Sequence, residues 1–340
     1  MNNILGRSGV ATILTAVIAF ALTASLGISL VPYLKKLKYG QTIKEIGPTW
    51  HQAKQGTPTM GGIMFIIGII VAVIVGYITA WIAFDYKADQ VQTVKLAAGV
   101  VLALGFGLMG YIDDYIKVVK KRNLGLNVKQ KLILQFLVAG AYLFSLWLSG
   151  VGTSTLIPFI GSVDFGPAFW VLSALGIVAM VNAVNFTDGI DGLNASVTFF
   201  VAITFMVLSG IMSLYGMSIA AAAVAGGCLG FLVWNFNPAK VFMGDTGSLF
   251  LGGIVCALGF GVNLPILILF VGIIYLCEIL SVVLQVSYFK ATHGKRIFKM
   301  TPIHHHFEMC GWSEVKICVV FSVVTIVFGA LSVCSFVYGI

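Results

Sequence analysis

Two adjacent aspartates, Asp113 and Asp114, stand in the string IDDYIK. Asp188 and Asp191 are spaced by three in TDGIDG, and Asp245 lies in MGDTGS. Such residues can hold a hard cation, take up a proton or meet a lysine. They do not gather freely: two carboxylates 4 Å apart repel by about 4 kcal/mol at an effective dielectric of 20. If the strings converge, they require a proton, a lysine or a cation. Oxygen ligation of this kind suits Mg2+ beside a substrate phosphate. Lys54, Lys129 and Lys131 adjoin the polar strings and could meet phosphate charge. His304, His305 and His306 follow one another in PIHHHFE. Imidazoles can donate to a phosphate or sugar oxygen and charge near neutral pH. Zinc is disfavoured, because adjacent residues rarely all point at one ion.

Each string also has a plainer reading. Asp113 and Asp114 close an apolar run, where solvated helix-end acids are one explanation. A helix C-terminus disfavours them by up to about 1 kcal/mol each, so a second reason is needed. Glycines flank Asp188 and Asp191, which suits a turn and an N-cap. Capping uses one of the two and leaves Asn185, Thr187 and the other Asp unexplained. The spacing does not fit an EF-hand loop, which alternates its acids and ends on a distal Glu. Asp245 alone reads equally well as an N-cap. Cytoplasmic lysines commonly do no more than set topology. The five aspartates together favour chemistry over these readings.

The elements that carry these strings cross a membrane. Hydrophobic residues make up 59% of the 340 and charged residues 9%, against about 25% charged in an average soluble domain. The apolar runs predict ten transmembrane helices, near Val10–Tyr33, Thr59–Trp81, Leu96–Ile112, Leu132–Leu148, Ala168–Val184, Ala195–Gly210, Ser218–Trp234, Ser248–Gly261, Leu264–Tyr288 and Val315–Val337. The runs are continuous, so helices are expected and a barrel is not. The fold class is all-α, one integral membrane domain over residues 1–340.

Sixteen of the twenty Lys and Arg fall in the connections on one side, among them Lys35, Lys36, Lys38, Lys44, Lys120, Lys121 and Arg122. The positive-inside rule makes that side cytoplasmic and puts both termini outside. Every polar string lies on the same side, so the active site is expected on the cytoplasmic face. The net charge of +8 is mainly this topology signal. Basic residues divided among short loops do not suggest nucleic-acid binding. The six cysteines are scattered and form no CxxC pair, against a disulfide framework. GFGLMG, Gly105 to Gly110, fits GxGxxG but lies inside a span with no strand before it. Helix packing through small residues explains it better. A secondary transporter would place ionisable groups near the midplane. Only Glu278 is so placed, and the one-sided polar strings favour an enzyme.

The strings GTPTMGG, IDDYIK, NFTDGIDGL, NPAKVFMGDTGSL and PIHHHFE, with the length and the ten spans, resemble the bacterial phospho-N-acetylmuramoyl-pentapeptide transferases. These belong to the polyprenyl-phosphate N-acetylhexosamine-1-phosphate transferase superfamily. The aspartate strings are shared across the superfamily; PIHHHFE with GTPTMGG points to the muramoyl-pentapeptide branch. The resemblance implies transfer of phospho-MurNAc-pentapeptide from its UDP donor to undecaprenyl phosphate, giving UMP and lipid I. It implies Mg2+, a bacterial plasma-membrane location and a homodimer. It assigns Asp113, Asp114, Asp245 and His304 to catalysis, with Asp245 as the Mg2+ ligand. It places Lys54, Thr59, Lys129, Lys131, Asn185, Asp188, Asp191, Asn235, Phe242, Gln285, His305 and His306 among residues that bind substrate or support the site. Direct attack by the lipid phosphate, with Asp113 as base, and a two-step route through a covalent aspartyl intermediate both remain open.

Overall fold

The computed structural model describes residues 2–37, 54–84, 86, 89–119, 125–157 and 160–339. Lys38, Lys44, Lys120, Lys121 and Arg122, used above for orientation, lie outside them.

Among the described residues, ten helices are long and apolar enough to span a membrane, as the hydropathy runs require. They are α1 (Asn2–Lys36), α2 (Gly62–Phe84), α3 (Gln90–Val119), α4 (Val128–Leu148), α5 (Ala168–Phe186), α6 (Leu193–Ile211), α7 (Tyr215–Asn235) and α8 (Gly244–Gly261), then α10 (Ile273–Ala291) and α12 (Glu314–Tyr338). Two short helices complete the set, α9 (Leu267–Val271) and α11 (Ile303–Met309). Helices satisfy their own backbone groups, which lipid demands.

α7 and α8 form the buried centre of the bundle. Their small residues let neighbours approach closely, the usual packing route where lipid is as apolar as the side chains. α3 runs along α8. A Cβ on Gly110 would stand 2.1 Å from the Asp245 carbonyl oxygen, so only glycine allows this crossing. GFGLMG is thus a packing surface, as its position inside a span suggests: Gly107 faces Phe250, and Gly105 faces Val138.

Two expectations are corrected, and two elements are added. The connection at 150–167 is the first addition. It folds into an antiparallel hairpin, β1 (Ser154–Ile157) with β2 (Gly161–Asp164), registered Ser154 to Asp164 and Ile157 to Gly161. The ninth crossing is not one helix from 264 to 288. It breaks at Gly272, where a Cβ would lie 2.7 Å from the Ile268 carbonyl oxygen and 3.0 Å from the Tyr275 ring. The histidine string is helical, in α11. Finally, α3 does not stop at Ile112 but runs to Val119, leaving Asp113 and Asp114 about one and a half turns inside its end. The helix-end penalty therefore does not apply to them.

Candidate active site

Asp113, Asp114 and Lys117 occupy the last turns of α3 at helical spacings of three and four, so they share a face. α8 begins against that face. Asp245 is not the N-cap, a position held by Met243; it sits inside the first turn. The cap comes from another helix. Asp114 accepts the backbone N–H of Asp245 at 3.2 Å and of Thr246 at 2.9 Å, and the Thr246 hydroxyl at 2.7 Å. A carboxylate is well placed there, because the first turn of a helix leaves its N–H groups unpaired and carries partial positive charge.

Carboxylate oxygens of Asp113, Asp114 and Asp245 lie within 4.8 Å of one another. Two ammonium groups hold this cluster together. Lys117 Nζ lies 2.7 Å from Asp113 and 3.0 Å from Asp245. Lys131 Nζ, from the first turn of α4, lies 3.1 Å from Asp113 and 2.9 Å from Asp245. Asn127 caps α4 with a reciprocal box to Gln130, which fixes where that turn begins. Lys129 points elsewhere and is exposed, so Lys131 is the lysine of this pair that the fold delivers. The Leu126 N–H donates to Asp113 at 2.7 Å, and Asn185 Nδ2 donates to Asp245 at 3.1 Å.

Three carboxylates against two ammonium groups leave a net negative charge. Asp188, in the turn between α5 and α6, feels that charge. Desolvation first, then the charges of Asp245, Asp114 and Asp191, push its carboxyl well above the usual range. This donor set is all oxygen and suits a hard divalent cation. Such an ion would be held by Asp245 with Asp113 or Asp114, and the lysine ammonium groups now on those oxygens would give way.

Asp191 belongs to a second cluster. One oxygen takes Lys54 Nζ at 2.7 Å; the other takes Asn237 Nδ2 at 3.2 Å and the Ala239 N–H at 2.9 Å. Lys54 also reaches Glu314 at 2.6 Å, and Glu314 accepts the Asp191 N–H at 2.9 Å. Three distant segments thus meet at one ion-pair hub. Asn235 is spent on backbone: it accepts from Gly192 N–H at 3.1 Å and donates to Val241 C=O at 2.8 Å. Gln285 is spent likewise on Ile297 and Phe298. These two amides position chain in this state. Residues 58–62 pair with 242–243, which sets half-buried Phe242 beside Thr59. The Thr59 hydroxyl and Asp114 crowd Gly244, whose φ of +70° suits glycine.

The three histidines have different partners, although the His304 and His305 rings lie 4.1 Å apart. His304 is fully buried, and its Nδ1 lies 3.0 Å from Glu278 Oε2, also fully buried. Its Nε2 has no hydrogen-bond partner among the described residues and abuts Gly189, next to Asp188. His305 Nδ1 lies 2.6 Å from Glu308. His306 Nδ1 accepts the Lys299 N–H at 3.2 Å.

Sequence reasoning missed Lys117, Glu278 and Glu314 as site-supporting residues. Lys117 was discoverable, four residues after Asp113 in IDDYIK. Glu278 was visible only as an acid deep in a span, and nothing near Glu314 in sequence names its partners.

A multi-pass helical protein with clustered aspartates, lysines and amides at one end of its bundle defines a membrane transferase of phosphorylated substrates. The model of Glycosyl transferase family 4 matches residues 96–263, the stretch that carries all five aspartates. The first signature of phospho-N-acetylmuramoyl-pentapeptide-transferase matches residues 54–66, which include Lys54 and Thr59. Proteins of that name are similar along nearly the whole chain. The one from Halalkalibacterium halodurans is 43% identical over 322 residues, 94% of this chain and 96% of its own. Those from Clostridioides difficile and Acetivibrio thermocellus are 44% and 46% identical, over 94% and 91% of this chain and 96% and 91% of their own. The chain belongs to the phospho-N-acetylmuramoyl-pentapeptide-transferase family, and is a multi-pass protein of the bacterial inner membrane.

Proposed function

We propose that the chain moves phospho-MurNAc-pentapeptide from UDP-MurNAc-pentapeptide to undecaprenyl phosphate, releasing UMP and forming lipid I. The observation that carries this reading is the Asp113–Asp114–Asp245 cluster, bridged by Lys117 and Lys131, in a chain bearing the family signature. Mg2+ is the cation we assign to Asp245, where it would neutralise the diphosphate of the donor.

The chain's own groups supply position and charge. Lys117 and Lys131 are poised to leave their carboxylates for phosphate oxygens, and Asn185 keeps Asp245 in place meanwhile. Direct displacement is the route this geometry favours. Before substrate arrives, Asp113 holds two ammonium groups and an N–H. A phosphate monoester loses its second proton with a pKa of about 6, so the lipid phosphate is largely a competent nucleophile at neutral pH without a base. Asp113 then serves to hold the two lysines until the phosphates draw them away. We assign His304, braced by Glu278, to the loop that carries Asp188. Phe242 offers a face for uracil, and His305 and His306 offer donors to sugar or phosphate.

The assay is UMP release from UDP-MurNAc-pentapeptide with undecaprenyl phosphate, with UDP-GlcNAc as competitor. Turnover should depend on both substrates and resist UDP-GlcNAc. Equal turnover of UDP-GlcNAc would move the protein to the GlcNAc-1-phosphate branch. Uptake into sealed vesicles without UMP release would make it a transporter.

The site is assigned to the cytoplasmic face, both termini to the outside, and the working form to a homodimer. In a background lacking the six native cysteines, Gln55→Cys should be protected from an impermeant thiol reagent in intact cells, and Asp89→Cys should react. The reverse pattern would invert the topology.

A further inference from the structure

Gln135 in α4 is 1% exposed, and it touches none of the five aspartates among its recorded hydrogen bonds. It faces Asn182 of α5 in a reciprocal amide pair. Gln135 Nε2 donates to Asn182 Oδ1 at 3.3 Å, and Asn182 Nδ2 donates to Gln135 Oε1 at 2.8 Å. Asn182 Nδ2 also donates to the Val178 carbonyl at 2.7 Å.

The placement of this pair carries the argument. Gln135 lies four residues after Lys131 on α4, and Asn182 lies three before Asn185 on α5, so each pair of residues shares a helix face. Lys131 and Asn185 bind opposite oxygens of Asp245, at 2.9 Å and 3.1 Å. The amide pair is therefore the rung one turn deeper, between the two helices whose next residues meet on that carboxylate. Interhelical amide bonds inside membranes stabilise packing only modestly. They do specify register, because a slide of one residue moves a helix by about 1.5 Å and separates both bonds. The same slide would carry Lys131 off Asp245.

We propose that Gln135 and Asn182 are positioning residues, which fix the register of α4 against α5 and so hold Lys131 and Asn185 on Asp245. This rests on the reading of that cluster as the reacting centre.

The test is a set of three variants: Gln135→Leu, the double Gln135→Leu/Asn182→Leu, and the swap Gln135→Asn/Asn182→Gln. Each is measured for kcat, for KM toward UDP-MurNAc-pentapeptide, and for thermal unfolding in detergent. A misplacement of about 1 Å can cost on the order of a hundredfold in rate, so Gln135→Leu should lose at least about tenfold in kcat with KM little changed. The double variant orphans no polar group between the two side chains. It should unfold near the wild-type temperature yet keep the kcat deficit. The swap preserves the combined length of the pair and should regain most of the rate.

A double variant with wild-type stability and wild-type kcat would overturn the proposal, because the site would then hold its register without the amide pair. Failure of all three to fold would also overturn it, by making the pair a folding element. Asp245→Ala run in parallel separates the two claims. If it is active, the reading of the centre fails. If it is inactive beside a fully active double variant, only the amide proposal fails.

Discussion

Asp245→Ala is expected to abolish turnover in purified, monodisperse protein. Asp245 is the point where four elements meet. It stands in the first turn of α8, accepts Lys117 from α3 and Lys131 from α4, and accepts Asn185 from α5. Truncation removes the carboxylate assigned to the cation and frees both lysines to collapse on Asp113 and Asp114. Loss of one preorganised electrostatic group costs about a hundredfold to a thousandfold in comparable sites. Here one substitution disturbs three such groups, so UMP release should fall by at least about a thousandfold. Gel filtration and thermal unfolding should stay near wild type, since α8 keeps its cap from Asp114. UMP release near the wild-type rate at saturating Mg2+ would remove Asp245 from the mechanism.

The largest expected loss of stability is in His304→Leu. Glu278 and His304 are both fully buried, and the bond between them, at 3.0 Å, is the one the Glu278 carboxylate makes among the described residues. Removing one partner of a buried pair typically costs about 3–5 kcal/mol, because the remaining group keeps its desolvation penalty. His304→Leu should therefore unfold at a clearly lower temperature in detergent. Glu278→Leu/His304→Leu removes both groups and should recover most of that stability. Activity should not return with it, since the ring beside Gly189 and Asp188 is still missing. A single variant as stable as wild type, or a double variant no better than the single, would show that the pair carries no such burden.

How much of this was legible in the sequence differs by level. The ten spans were, because lipid leaves no alternative to long apolar helices. The ends of α3 and α8 that carry the site were set short. The apolar run of α3 stops at Ile112, whereas the helix continues to Val119. α8 starts at Gly244, four residues before the expected Ser248. In both places the helix continues through charged residues because lysines neutralise them across the bundle, a condition no local pattern carries. The hairpin at 154–164 and the break at Gly272 escaped for the same reason, since backbone pairing and a close contact decide them. In the site, the need for a lysine or cation among five aspartates was legible from Coulomb repulsion, and Lys117 and Lys131 meet it. The partners of Asp191 were not. Lys54 and Glu314 lie 137 and 123 residues away, and only the fold brings them together.

That hub also has a history within the life of each molecule. Lys54 and Glu314 are separated by 260 residues, and a ribosome adds about 5–20 residues per second. The first partner thus waits on the order of 10–50 s for the last. Asp113, Asp114, Lys117, Lys131, Asn185 and Asp245 have all been synthesised before Glu314 emerges. The reacting cluster can therefore assemble in the bilayer while the clasp that joins the segment before α2 to α12 is still open.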